Sequence, residues 1–145
     1  MVKSVEESDV RELQALQMYL NEYTQQGEVL ARQLELLMRQ RMEASAAIEA
    51  LKELKSVEEP IVLFPLGGGT TVRAHILDPE RVLVNIGADV IVQRTNGQAT
   101  EYLEDRIREL EALEKKVGES LQNIRAQVNE IARRIETGYE KARGG

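Results

Sequence analysis

The chain has 145 residues, 42% hydrophobic and 30% charged, and its 19 basic against 25 acidic side chains give a formal net charge of -6. That length suits one domain, and the acidic balance argues against a phosphate-binding surface, so nucleic acid is not expected as a partner. With no Cys and a single His there is neither a disulfide framework nor a thiolate or His-rich metal site, and four Tyr, one Phe and no Trp leave little for an aromatic core.

In chain order, the opening Met1-Val2-Lys3-Ser4-Val5-Glu6-Glu7 has early acidic charge and no apolar signal core, so a cytoplasmic location is expected. The longest apolar runs, such as Ile61 to Leu66, fall far below the roughly 20 residues that span a bilayer, so no membrane partner is expected. All three prolines lie between Pro60 and Pro79, which favours long helices on either side of a different middle. The predicted parts are a helix over 4–55, a strand-rich middle over 56–97 and a helix over 98–143.

Ser4 with Glu7 forms a potential capping box for the first helix. From Leu13 an apolar seam recurs in alternating steps of three and four: Leu13, Leu16, Leu20, Tyr23, Gly27, Leu30, Leu34, Leu37, Arg41, Ala44, Ile48, Leu51. The last part repeats the pattern at Leu103, Ile107, Leu110, Glu114, Val117, Leu121, Ile124, Val128, Ile131, Ile135, Gly138 and Ala142. A period of 3.5 residues sustained in this way marks a left-handed coiled coil, and two stems of about 70 Å joined by the middle can return antiparallel. Anchoring Leu51 beside Leu103 puts Leu20 beside Ile135, Gly27 beside Val128, Leu34 beside Leu121 and Ile48 beside Ile107. The two charged exceptions, Arg41 and Glu114, then fall at one level as a register-setting ion pair. The competing reading is that Arg41 carries its head out to water. Gly27 is a thin place in the seam, either a tolerated glycine or a hinge.

In the middle the period changes to two. Ile61 to Leu66 leads through Gly67-Gly68-Gly69 into Thr70 to Ile76, a first hairpin; Leu77-Asp78-Pro79-Glu80 turns; Val82 to Ile86, the turn Gly87-Ala88-Asp89 and Val90 to Thr95 form a second. Asn96-Gly97 punctuates the return into helix. Two short hairpins bury too little to stand alone, so the strands carrying Val62, Phe64, Val72, Ala74, Ile76, Val82, Val84, Ile86, Val90 and Val92 are expected to oligomerise by edge pairing or barrel closure. The fold class is therefore α+β, a long antiparallel two-helix coiled coil with two β-hairpins between its helices that build a β-barrel body.

No catalytic constellation emerges. Gly67-Gly68-Gly69-Thr70-Thr71 has no Lys before its threonines and is followed by strand alternation, so it is a hairpin turn rather than a phosphate loop. His75 has no nucleophile or second His nearby, and no pair of carboxylates converges on an apolar pocket, so the chain is not expected to be an enzyme and no cofactor or metal is implied. The open end of the coiled coil, with Val5, Val10 and Leu13 meeting Ile135 and Tyr139, offers apolar seam residues amid charge, a surface suited to gripping unfolded chains; ordinary fraying is the plainer reading.

The order long helix, two hairpins, long helix resembles the alpha-type subunits of the prefoldin family of archaea. Leu63-Phe64-Pro65-Leu66-Gly67-Gly68-Gly69 and Val82-Leu83-Val84-Asn85-Ile86-Gly87-Ala88-Asp89-Val90 are similar to that family's double-hairpin signature, and two hairpins point to the alpha class because beta-type subunits have one. The resemblance implies a hexamer of two alpha and four beta-type subunits with a double β-barrel body and six projecting coiled coils. It further implies an ATP-independent holdase that binds non-native proteins at the coiled-coil tips and hands them to a group II chaperonin. The alternative is a structural subunit that assembles into filaments through its hairpins.

Overall fold

A computed structural model describes residues 2–144, with side chains described for 7–143. Helix α1 spans Val2–Ser56 and α2 spans Asn96–Gly144; between them lie strands β1 (Ile61–Gly67), β2 (Thr70–His75), β3 (Arg81–Asn85) and β4 (Ile91–Thr95). The strands pair as two separate antiparallel hairpins, β1 with β2 and β3 with β4. By contacts the chain divides into two units, one made of residues 1–38 with 112–145, the other of residues 39–111. Among the described residues no helix is long and apolar enough to cross a membrane.

In the first unit the two helices are antiparallel, since Leu13 meets Gly138 and Gly27 meets Ile124. Every seam position of α1 in this unit, from Leu13 to Leu37, is half-buried, as the coiled-coil period requires. On α2 the seam positions from Glu114 to Gly138 are likewise covered, with Leu121 fully buried, but Ala142 is exposed. A two-helix seam has no third layer over it, so most of its side chains stay half-buried. The register differs from expectation by one helical turn: Gly27 faces Ile124, whose Cγ2 lies 3.4 Å from where a Gly27 Cβ would stand, and not Val128 alone. Gly27 also lines an open groove of about 320 Å³ together with Tyr23, Ile124 and Val128, the thin place expected in the seam. Helix α1 begins at Val2, and the Ser4 side chain of the expected capping box lies outside the described residues.

The second unit holds most of the fully buried core: Ala44, Ile48 and Leu51 from α1, with Asn96, Ala99 and Leu110 from α2. β1 and β2 set Val62 opposite Ala74 and Phe64 opposite Val72, with an irregularity between Pro65 and Gly67. Gly67, Gly68 and Gly69 all have positive φ, 108°, 59° and 80°, which only glycine adopts without strain, and the Thr70 hydroxyl donates to the Gly67 carbonyl at 2.7 Å. This is the hairpin turn read from the sequence. In the second hairpin Val82 opposes Arg94 and Val84 opposes Val92. Three expected strand residues fall just outside the strands: Ile76, which still donates its amide to the Pro60 carbonyl at 3.1 Å, and Ile86 and Val90, joined by an Ile86 N–H to Val90 carbonyl bond of 3.0 Å. Each ladder ends there because Leu77 begins a turn and Gly87, Ala88 and Asp89 take positive φ.

The junction into α2 is built from polar contacts. Thr95 accepts from the Gln98 amide at 3.1 Å while the Gln98 side chain accepts from the Thr95 amide at 3.1 Å, a reciprocal capping box. Asn96, only 2% exposed, donates its side-chain amide to the Leu51 carbonyl at 3.0 Å and the Pro79 carbonyl at 3.1 Å. Its backbone amide donates to the Glu80 carbonyl at 3.1 Å. The first residue of α2 thereby ties the end of α1, the turn between the hairpins and the end of β4 into one piece. Asp78 holds that turn by accepting from the Glu80 amide at 3.0 Å and pairing with Arg81 at 3.1 Å.

Candidate functional site

Two surfaces expose apolar side chains in an organised way. The first, in the unit of residues 1–38 and 112–145, is a groove of about 520 Å³ where the chain's two ends run side by side. Leu13 and Leu16 form its apolar floor, and Asp9, Glu12, Glu130, Arg133, Arg134 and Lys141 ring it with both signs of charge. Gly138 matters here: a Cβ would stand 2.7 Å from the Leu13 Cδ2, so any other residue at 138 requires the Leu13 side chain to shift. Arg134 is held by Glu130 one turn back at 3.7 Å, and the Thr137 hydroxyl donates to the Arg133 carbonyl at 2.9 Å. Of the residues expected to grip unfolded chains, Leu13 and Ile135 are half-buried in the seam, Val10 is 52% and Tyr139 53% exposed, and the Val5 side chain lies outside the described residues.

The second surface is made by the hairpins. Val62, Ala74, Val82, Val84 and Val92 are half-buried within the unit, whereas Phe64 and Val72 are exposed. The largest open apolar side chains on the strands lie mainly on the opposite alternation: Ile61 58%, Leu63 67%, Leu66 61%, Leu83 71% and Ile91 61% exposed. These five lie outside the strand residues expected from the sequence, which for Ile61, Leu63, Leu83 and Ile91 follow the other alternation. Their signal was present in the period of two, which leaves apolar residues on both faces. Leu77, in the turn between the hairpins, is 98% exposed. Beside β3 runs a groove of about 410 Å³ lined by Leu51 and Leu54 of α1, Val82 and Val84 of β3, and Ala99 and Leu103 of α2, among others. The Tyr102 hydroxyl lies 3.5 Å from the Asn85 carbonyl, and Lys55 pairs with Glu80 at 3.7 Å.

Nothing in these surfaces has the form of a reaction centre. His75 is exposed at the end of β2, opposite Ile61, with no imidazole or thiol to work with. Among the described residues no group of three or more His, Asp or Glu stands close enough to hold a metal ion. Arg41 and Glu114 are both half-buried on their seams.

Two long helices that bracket a pair of apolar, open-edged hairpins define an α+β coiled-coil subunit of the prefoldin kind. The prefoldin subunit family model matches residues 23–141. The prefoldin subunit alpha of Methanoregula boonei is 57% identical over 94% of this chain and 90% of its own length, and that of Methanoculleus marisnigri 51% identical over 96% and 93%. The chain belongs to the prefoldin family, with alpha-type archaeal subunits as its relatives, and is a chaperone-type subunit. A cryo-EM structure of filamentous PFD from Methanocaldococcus jannaschii shares the fold at a TM-score of 0.68, with 21% identity, over 81% of this chain and 98% of that one.

Proposed function

We propose that this chain is the alpha-type subunit of a cytoplasmic hetero-hexamer of two alpha and four beta-type subunits. In this reading the complex is an ATP-independent holdase: it captures non-native proteins at its coiled-coil ends and transfers them to a group II chaperonin. The hairpins join subunits through their open strands, and the groove over Leu13 and Leu16 holds the client. The observation that carries the reading is the composition of that groove, an apolar floor ringed by charges of both signs with Val10 and Tyr139 largely exposed. Such a surface binds exposed apolar segments weakly and without sequence preference, and releases them without nucleotide.

The test is light scattering from a chemically unfolded client diluted into the complex, with and without residues 1–12 and 136–145 of this chain, in the absence of nucleotide. Suppression of aggregation by the intact complex and its loss in a truncated complex of equal native mass supports tip-based holding. Equal suppression by both refutes it. The open strands of two unconnected hairpins also favour a second reading, a filament built through the hairpins. Native mass and electron microscopy of the purified assembly separate a closed hexamer from an open polymer.

A further inference from the structure

Five asparagines occur in the chain, and only Asn96 is followed by glycine. Asn-Gly is the dipeptide most open to deamidation, because a following residue without Cβ lets its amide nitrogen reach the asparagine side-chain carbonyl. In the reaction the Gly97 nitrogen attacks the Asn96 Cγ, a C–N bond forms, and Nδ2 leaves as ammonia. Water then opens the resulting succinimide to aspartate or isoaspartate. No oxidant, metal or enzyme is required.

The fold closes this route at each step. Asn96 is 2% exposed, and the nitrogen that must leave is the atom held by the Leu51 and Pro79 carbonyls at 3.0 and 3.1 Å. Helical backbone angles at the start of α2 also keep the Gly97 nitrogen away from the Asn96 side-chain carbonyl. The product in turn does not fit. Helix starts ordinarily welcome a carboxylate, but here both neighbours are acceptors, so an ionised acid would set oxygen against oxygen where two hydrogen bonds stood.

Glycine at 97 is not demanded by the structure. Its φ is not positive, and an added Cβ would meet nothing within 4 Å, whereas at Gly138 it would strike Leu13. Gly97 is the second residue of α2, in a first turn that asks for no glycine. The residue that makes Asn96 reactive is thus the one the backbone does not call for.

We propose that Asn96-Gly97 is a deamidation site that folding closes, so that a chain left unfolded is modified there and thereby barred from the native state. The full-length protein is incubated in mildly alkaline buffer, native and in urea, and peptide mass spectrometry follows conversion at Asn96. Reaction only from the open state makes the native rate lower by at least about tenfold. Gly97→Ala leaves every contact of Asn96 in place and slows the urea reaction by about tenfold through its Cβ. Unfolded chains aged to partial conversion are then refolded, and the native fraction is collected by size exclusion; modified chains are depleted in it at least about fivefold relative to the input. Equal native and unfolded rates overturn the protection, and a native fraction with modified chains at their input proportion overturns the exclusion. Both readouts use the wild-type chain, so neither depends on a variant that folds poorly.

Discussion

Assembly and folding are separable at the hairpins, and the exposures fix by how much. Leu63 and Leu83 are 67% and 71% exposed in the subunit. Burying a whole Leu side chain is worth about 1.5–3 kcal/mol, so the two-thirds still open on each is worth about 1–2 kcal/mol on covering by another chain. Leu63→Ser with Leu83→Ser removes about 2–4 kcal/mol from subunit association, a weakening of roughly 30- to 1000-fold. The subunit's own stability loses only the already buried third, about 1 kcal/mol or less per site. For comparison, Leu110 is 1% exposed, and Leu110→Ala costs about 2–5 kcal/mol of folding. Sedimentation velocity over a dilution series reads association, and circular dichroism melts read folding. The double variant dissociates at concentrations where the parent is assembled while keeping a melt far closer to the parent than that of Leu110→Ala. A double variant that assembles at parental concentrations, or melts like Leu110→Ala, refutes the assignment of these side chains to an intersubunit surface.

Gly138→Ala places a methyl 2.7 Å from the Leu13 Cδ2 and obliges that side chain to shift, so part of the roughly 1 kcal/mol gained in helix propensity is lost; with Leu13→Ala the gain is fuller, and melts showing strictly additive effects refute the contact. Thr95→Ala removes one arm of the capping box on α2 and costs about 1 kcal/mol in urea denaturation, with Thr95→Ser retaining most of it.

The element order was legible because each part announces itself by period. The 3.5-residue seams matched burial at every position from Leu13 to Leu51, and from Leu103 to Gly138, failing only at Ala142, which is exposed. The glycine turn was legible because three consecutive glycines before a strand serve little but positive φ. The Thr95 and Gln98 pair fits the capping-box spacing and forms one at the start of α2, and Asn96-Gly97, which reads as punctuation in the sequence, carries a buried three-way junction. A residue whose role is to donate to two distant carbonyls leaves no periodic trace.

The slip of one turn in register has the same origin. A heptad seam specifies which face of each helix is inward, but sliding one helix by a turn still sets apolar residues against apolar ones, so the pattern is satisfied by more than one register. What selects among them is shape. Gly27 on α1 receives Ile124, and Gly138 on α2 receives Leu13, each glycine opposite a large aliphatic side chain of the other helix. Sliding by one turn would withdraw both side chains from their places opposite the two glycines and forfeit those contacts. The two glycines that look like flaws in their seams are therefore the holes that fix the pairing of this unit, and the clash at Gly138, unlike the ordinary 3.4 Å contact at Gly27, makes the end carrying Leu13 the more sensitive of the two to a single methyl.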